Sequence, residues 1–346
     1  MPEFVPGIEL SRAFYDEVVS GLVGGVSHSA ALLGTGSDVL RLDTPRSTDH
    51  GWGPRLQLFV ADDDVEGVRR TIDAGLPETF RGWPIRYGWD EVPVTHHVEV
   101  TTLQDWLVSR LGFDPRAGVS TLRWLTTPQQ LLLEVTRGAV HRDGDGELAA
   151  ARDALAWYPY DVWLWLLACQ WRRLDQEEPF VGRTAEVDDD LGSRILMARL
   201  ARDLIRLCFL LARTYAPYSK WLGSAFRGLA CYPAVWPPLD EALSGVSFPV
   251  REDALARAFA GVAALHNAQG ITAPVAEEIG RFHSRPFRVL GSGRFVDACL
   301  DRVADPELRR LPLVGSVDQL ADSVDLLSSP AALRAASGMY EAWLAS

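Results

Sequence analysis

The chain is short of what several common chemistries need. Its four cysteines, Cys169, Cys208, Cys231 and Cys299, are scattered over 346 residues. No two are spaced as Cys-x-x-Cys, so no thiol-redox or zinc motif is encoded. Most sit among apolar residues and read as reduced core thiols. No run of about 18 apolar residues is present, so a transmembrane helix is not expected. The amino terminus lacks the basic and apolar regions of a secretory signal, and the expected location is the cytoplasm. Lysine and arginine number 34 against 46 acidic residues, a formal net charge of −12. That balance disfavours binding to long nucleic acid, which needs clustered positive charge. Gly-x-Ser-x-Gly, Walker A and His-Glu-x-x-His patterns are all missing, so serine hydrolase, P-loop and zincin readings have no support.

What is present is a large apolar fraction, 47%, enough for a sizeable core in one large domain or two. Up to Gly146 the pattern is mixed α/β. Leu10, Phe14 and Val18 recur at helical spacing, Asp62 is placed to cap a helix carrying Val65, Val68 and Ile72, and Leu103, Trp106, Leu107 and Leu111 mark another. Gly138 to Gly144 reads as a short strand and turn. Beyond Gly146 helical patterns dominate, over 161–174, 191–215, 251–269 and 330–345, broken by prolines and glycines. The expected fold is α+β: a mixed sheet with helices in residues 1–146, then an α-helical domain in residues 147–346. Trp163 and Trp171, inside a helical pattern, read as core.

The most informative stretch is 34–53. An apolar segment, Ala30 to Leu33, leads into Gly34-Thr35-Gly36-Ser37, and the apolar run Arg55-Leu56-Gln57-Leu58-Phe59-Val60 follows. A turn of this kind lets backbone N–H groups approach phosphate oxygens, and a nearby acid can hold the accompanying Mg²⁺. By itself such a turn usually only reverses the chain. A dinucleotide fingerprint is not completed, because its third glycine is absent. Gly291-Ser292-Gly293, after Phe287 to Leu290, is a similar turn and a decoy. In His97-Val98-Glu99-Val100-Thr101 the period-2 rule sends the valines one way and His97, Glu99 and Thr101 the other. Glu99 is thus placed to face a site, with an edge-strand position in solvent as the plain alternative.

A Gly-Ser pair followed about a dozen residues later by Asp49, at an expected strand start, resembles the nucleotidyltransferase superfamily, which includes DNA polymerase β and kanamycin nucleotidyltransferase. More narrowly, the chain resembles a bacterial domain-of-unknown-function family with this fold. That likeness runs through Phe4-Val5-Pro6-Gly7, 34–55, Leu76-Pro77-Glu78-Thr79-Phe80-Arg81-Gly82-Trp83, Ala156-Trp157-Tyr158-Pro159, Gln170-Trp171-Arg172-Arg173, Tyr215 to Trp221, His266-Asn267 and Gly315 to Gln319. The resemblance implies that Gly34, Gly36 and Ser37 hold the phosphates of an NTP such as ATP, and that Asp49 and Glu99 bind Mg²⁺. Glu99 would also take the proton of a small-molecule hydroxyl acceptor. A lysine of the helical domain often reaches the γ-phosphate in this superfamily; here the candidate is Lys220, with Tyr218 stacking on the base.

One departure stands out. The superfamily pattern carries a second acid two residues after the first, and here that position is Gly51. Asp38 or Asp43 substitutes as the missing ligand, or the chain binds nucleotide without transferring it. Three further groups have plain readings. Asp49 also suits a turn cap. Arg172, Arg173 and Arg183 suit surface pairs with Glu177, Glu178 and Glu186. His50, His96 and His97 lack the spacing of a zinc site.

Overall fold

The computed structural model describes residues 2–345. Two compact units divide the chain. Of the described residues, the first comprises 2–120, 129–156 and 328–334; the second comprises 121–128, 157–327 and 335–345.

The first unit is built on a five-stranded mixed sheet. Its strands are β1 (His28–Leu32), β2 (Arg55–Val60), β5 (Arg86–Trp89), β6 (Val92–Thr101) and β7 (Ala139–Arg142), in the order β5-β6-β2-β1-β7. A separate two-stranded ribbon joins β3 (Thr79–Phe80) to β4 (Trp83–Pro84). Only the β2–β6 pair is parallel, and the helix Asp62–Gly75 lies in the crossover that a parallel pair requires. Alternation explains which face is dry. Leu56, Leu58 and Val60 of β2 and Val98 and Val100 of β6 join Leu10, Phe14, Val19, Val68 and Ile72 in one core cluster. The intervening side chains, Arg55 and Gln57 on β2 and His97 and Glu99 on β6, share the opposite face in register, Arg55 beside His97 and Gln57 beside Glu99.

The helix expected to follow Asp62 begins at Asp62 itself, with Ala61 in the cap position and no side-chain cap bond. The run Asp62-Asp63-Asp64 fills its first turn, where negative charge complements the helix dipole. Leu103–Leu111 is a helix capped by the Thr102 hydroxyl, which accepts from the Asp105 N–H at 3.0 Å. The sequence boundary at 146–147 also shifts. Helix Glu147–Ala154 belongs to the first unit, where it packs on helix Gln129–Thr136 and buries Leu148 and Ala151.

The second unit is helical. Tyr160–Glu177 is dry nearly all round, from Val162 through Trp171. Its three tryptophans are core residues: Trp163 donates to the Leu210 carbonyl at 2.8 Å and Trp171 to His266 Nδ1 at 3.2 Å, while the Trp165 N–H is buried without a partner. Long helices Asp190–Leu211 and Phe248–Ala268 complete the packing. The four cysteines are free thiols, three of them buried. Among the described residues no helix is long and apolar enough to cross a membrane.

Candidate functional site

The Gly34–Ser37 turn leaves the end of β1 and is shaped by close approaches. Gly34 has φ +85° and Gly36 φ +141°, both in the region that favours glycine. A Cβ on Gly36 would collide with the Asp38 carboxylate and the Arg55 guanidinium. The Gly34 N–H, expected to be available for phosphate, instead donates to the Glu134 carbonyl at 2.8 Å. The N–H groups of Thr35, Gly36 and Ser37 have no acceptor among the described residues, and Thr35 is exposed. Three open donors at a glycine turn can serve an anion.

Directly beside the turn lies Arg55, which the sequence reading passed over as part of an apolar run. Its Nε and Nη2 bind Asp38 Oδ2 and Oδ1 at 3.0 and 2.7 Å, and Nη2 also reaches the Thr35 carbonyl at 2.7 Å. Burial opposes the charge on Arg55, but the Asp38 carboxylate outweighs it and raises the guanidinium above its ordinary value. The pair is a bidentate fork that fixes both groups in place. On the same face Gln57 accepts from the Leu33 N–H at 2.9 Å and points its amide at Glu99 Oε2, 3.5 Å away. Arg110, from helix Leu103–Leu111, stands at the other side of the turn. Its Nη2 is 3.6 Å from where a Gly34 Cβ would be, and its Nη1 is 3.9 Å from Glu134 Oε2. Burial pushes the Glu134 carboxyl up. The Tyr87 hydroxyl is buried without a partner and raised above its usual range, chiefly by desolvation.

The residues expected to hold Mg²⁺ are placed differently from the sequence pattern. Asp49 does not begin a strand. It ends the 3-10 turn Pro45–Asp49, is more than half exposed, and pairs with Arg46 Nε at 3.1 Å. Gly51 follows at φ +63°, so residues 49 and 51 are not two positions on one strand face. The strand starts only at Arg55, because Pro45 and the Thr44/Ser47 capping box hold the preceding stretch in a tight turn. Asp38 has both oxygens engaged by Arg55, and Asp43 accepts from the Gly7 N–H and Trp52 Nε1 at 2.7 and 3.0 Å. Among the described residues no group of three or more His, Cys, Asp or Glu side chains is placed to hold a metal ion. Asp38, Asp43 and Asp49 are thus each engaged by another side chain or backbone group, and no two acids stand as the shared strand pair that the sequence pattern requires. The histidines also go separate ways, His50 to Asp90, His96 to Asp73 and His97 to the Tyr87 carbonyl.

Tyr218 and Lys220 lie in the second unit, at the start of helix Ser219–Phe226, and Lys220 Nζ stands 5.0 Å over the Trp221 ring. Lys220 is the only lysine in the chain. Arg172 and Arg173 pair with Asp175 and Asp203 at 3.0 and 2.8 Å, rather than with Glu177, Glu178 or Glu186. The second turn, Gly291-Ser292-Gly293, is already filled. The buried Glu178 carboxylate accepts from the Leu290 and Gly291 N–H groups and the Ser292 hydroxyl, and burial pushes it up to about 7.

Comparison with known proteins adds two findings. Residues 124–222 match the model of a domain of unknown function, DUF4037. That segment bears out the resemblance to a domain-of-unknown-function family, though it begins after the Gly34–Ser37 turn and β1–β6. A nucleotidyltransferase-like protein from Exiguobacterium sibiricum is similar at 14% identity, over 76% of this chain and 75% of its own, with a TM-score of 0.31. That superposition is too loose to transfer a residue or a role. No protein of curated function matches the chain.

Proposed function

We propose that the first unit binds the polyphosphate of a nucleoside triphosphate at the Gly34–Ser37 turn, with arginine in place of a carboxylate-held metal. The observation that carries this reading is Arg55. The strand beside the turn opens on a guanidinium locked to Asp38 and to the turn's own Thr35 carbonyl. Asp38 and the Thr35 carbonyl occupy Nε and Nη2, which leaves Nη1 of this fixed guanidinium for a phosphate oxygen. Three free N–H groups on the turn supply further donors. Of the two functions open to the sequence, nucleotidyl transfer to a small-molecule hydroxyl calls on carboxylates for Mg²⁺, and Asp38, Asp43 and Asp49 are each engaged elsewhere. Nucleotide binding without transfer needs only donors, which are present. ATP is the natural test ligand, and the cytoplasm, where NTPs are made and used, is the compartment that suits this reading.

The test is a binding screen of the four NTPs and inorganic tripolyphosphate, with and without Mg²⁺, run beside an assay of pyrophosphate release. Binding of NTP and tripolyphosphate without pyrophosphate release supports the reading. Turnover of any NTP in the presence of a hydroxylated acceptor contradicts it and returns Glu99, exposed on β6 next to Gln57, to the role of proton acceptor.

A further inference from the structure

The corner between Gly34, Arg110 and Glu134 holds polar atoms that the fold leaves without partners. Glu134 Oε2 is buried and accepts no hydrogen bond. Its nearest cation is Arg110 Nη1 at 3.9 Å, beyond hydrogen-bond reach. The other oxygen, Oε1, receives only a 3.4 Å bond from Gln130. The indole N–H of Trp106 is also buried and unpaired. Both Arg110 and Trp106 border Gly34: a side chain there would meet the guanidinium at 3.6 Å and the Trp106 ring at 3.9 Å. An unsatisfied buried group is costly, and native structures seldom leave several together without a partner.

The missing partner is defined by what surrounds it. Arg110 and Trp106 offer hydrogens and need oxygen acceptors, whereas Glu134 Oε2 offers a lone pair and needs a hydrogen. A fully ionised oxyanion satisfies the first two and is repelled by the third. An oxyacid group that still carries one hydrogen satisfies all three. We infer that this corner holds a phosphate group with one proton shared between a phosphate oxygen and Glu134. The phosphate is either the terminal group of the nucleotide or free inorganic phosphate. The inference rests on the phosphate reading of the adjacent turn and adds to it a selection for a protonated oxyacid. The charged groups facing Glu134 are Arg110 from helix Leu103–Leu111 and Arg55 from β2, with the amide of Gln130 on its own helix. Burial outweighs them and raises the Glu134 carboxyl, which favours keeping a proton at this point.

Phosphate and sulfate separate the possibilities. At pH 8 both are dianions of the same shape, and only phosphate carries a hydrogen. Calorimetry with each, on the full chain, should give phosphate an advantage of about tenfold or more, the worth of one hydrogen bond to a buried charge. Glu134→Gln brings its own N–H, so sulfate should then bind within about twofold of phosphate, with thermal unfolding checking that the variant is folded. ATP supplies the second arm. Its terminal phosphate is ionised at pH 8, so occupying this corner should take up close to one proton, read from heats in two buffers of different ionisation enthalpy, and Glu134→Gln should abolish that uptake. Phosphate preference without proton uptake by ATP assigns the corner to free phosphate. Equal binding of sulfate and phosphate by the wild type, or an unchanged ratio in Glu134→Gln, overturns the inference. If ATP binds while phosphate shows no preference, the nucleotide reading stands and this inference falls. If none of the three binds, both fall.

Discussion

Arg55 and Asp38 form a two-point ion pair, 2.7 and 3.0 Å, with the Asp38 carboxylate 2% exposed. The pair spans from the first residue of β2 to the turn that leaves β1, so the shape of the turn depends on it. Asp38→Asn removes the charge that Arg55 is buried against. Breaking one side of such a pair costs about 3–5 kcal/mol, and denaturant unfolding should show a loss of that order. A loss below about 1 kcal/mol would mean that Arg55 finds water instead.

Gly51 is placed otherwise than the sequence alone suggests. On a strand, Gly51→Asp would complete a pair of carboxylates with Asp49. In the structure Gly51 is left-handed at φ +63°, and a Cβ would sit 3.5 Å from the Trp89 ring. Gly51→Asp should therefore give no gain in pyrophosphate release and lose about 1 kcal/mol of stability from backbone strain. A clear gain in turnover would show that the 49–53 loop adopts a strand in the working protein.

His141 and His266 set an acid limit on stability. Burial holds both down to about 4, with the nearby Arg12 adding to the effect at His141. The unfolded chain protonates near 6.5, so it binds more protons than the folded chain between about pH 6.5 and 4. Stability is complete above that window and falls as pH drops through it, by up to about 1.4 kcal/mol per pH unit for each group. Unfolding midpoints at pH 7.5 and 5 should show the fall, and His266→Gln should make it shallower. A midpoint that rises towards pH 5 would contradict the assigned direction.

Much of the fold is legible because it follows from periodicity. The valines of β6 and the leucines of β2 alternate and are buried accordingly, and the dry stripe around Trp163 and Trp171 announces a core helix. The site is less legible, for two physical reasons. Asp49 and Gly51 look like strand positions because an apolar run follows them, yet Pro45 and a local capping box outweigh that cue. Arg55, Arg110 and Glu134 carry no local motif. They are single residues on a strand and two helices, and only the tertiary fold brings them to one turn. The 146–147 boundary fails similarly, since the chain's helical content rises before its packing changes units.

The most direct test of arginine-based phosphate binding is calorimetry of ATP with the wild type and Arg110→Ala, each with Mg²⁺ and with a chelator. Arg110 is one-third exposed, so its removal leaves the core intact. The account predicts wild-type binding that the chelator does not weaken, and a loss of about 10- to 100-fold in Arg110→Ala, the worth of one charge-assisted contact. Binding that vanishes without Mg²⁺ and is untouched by Arg110→Ala would contradict it.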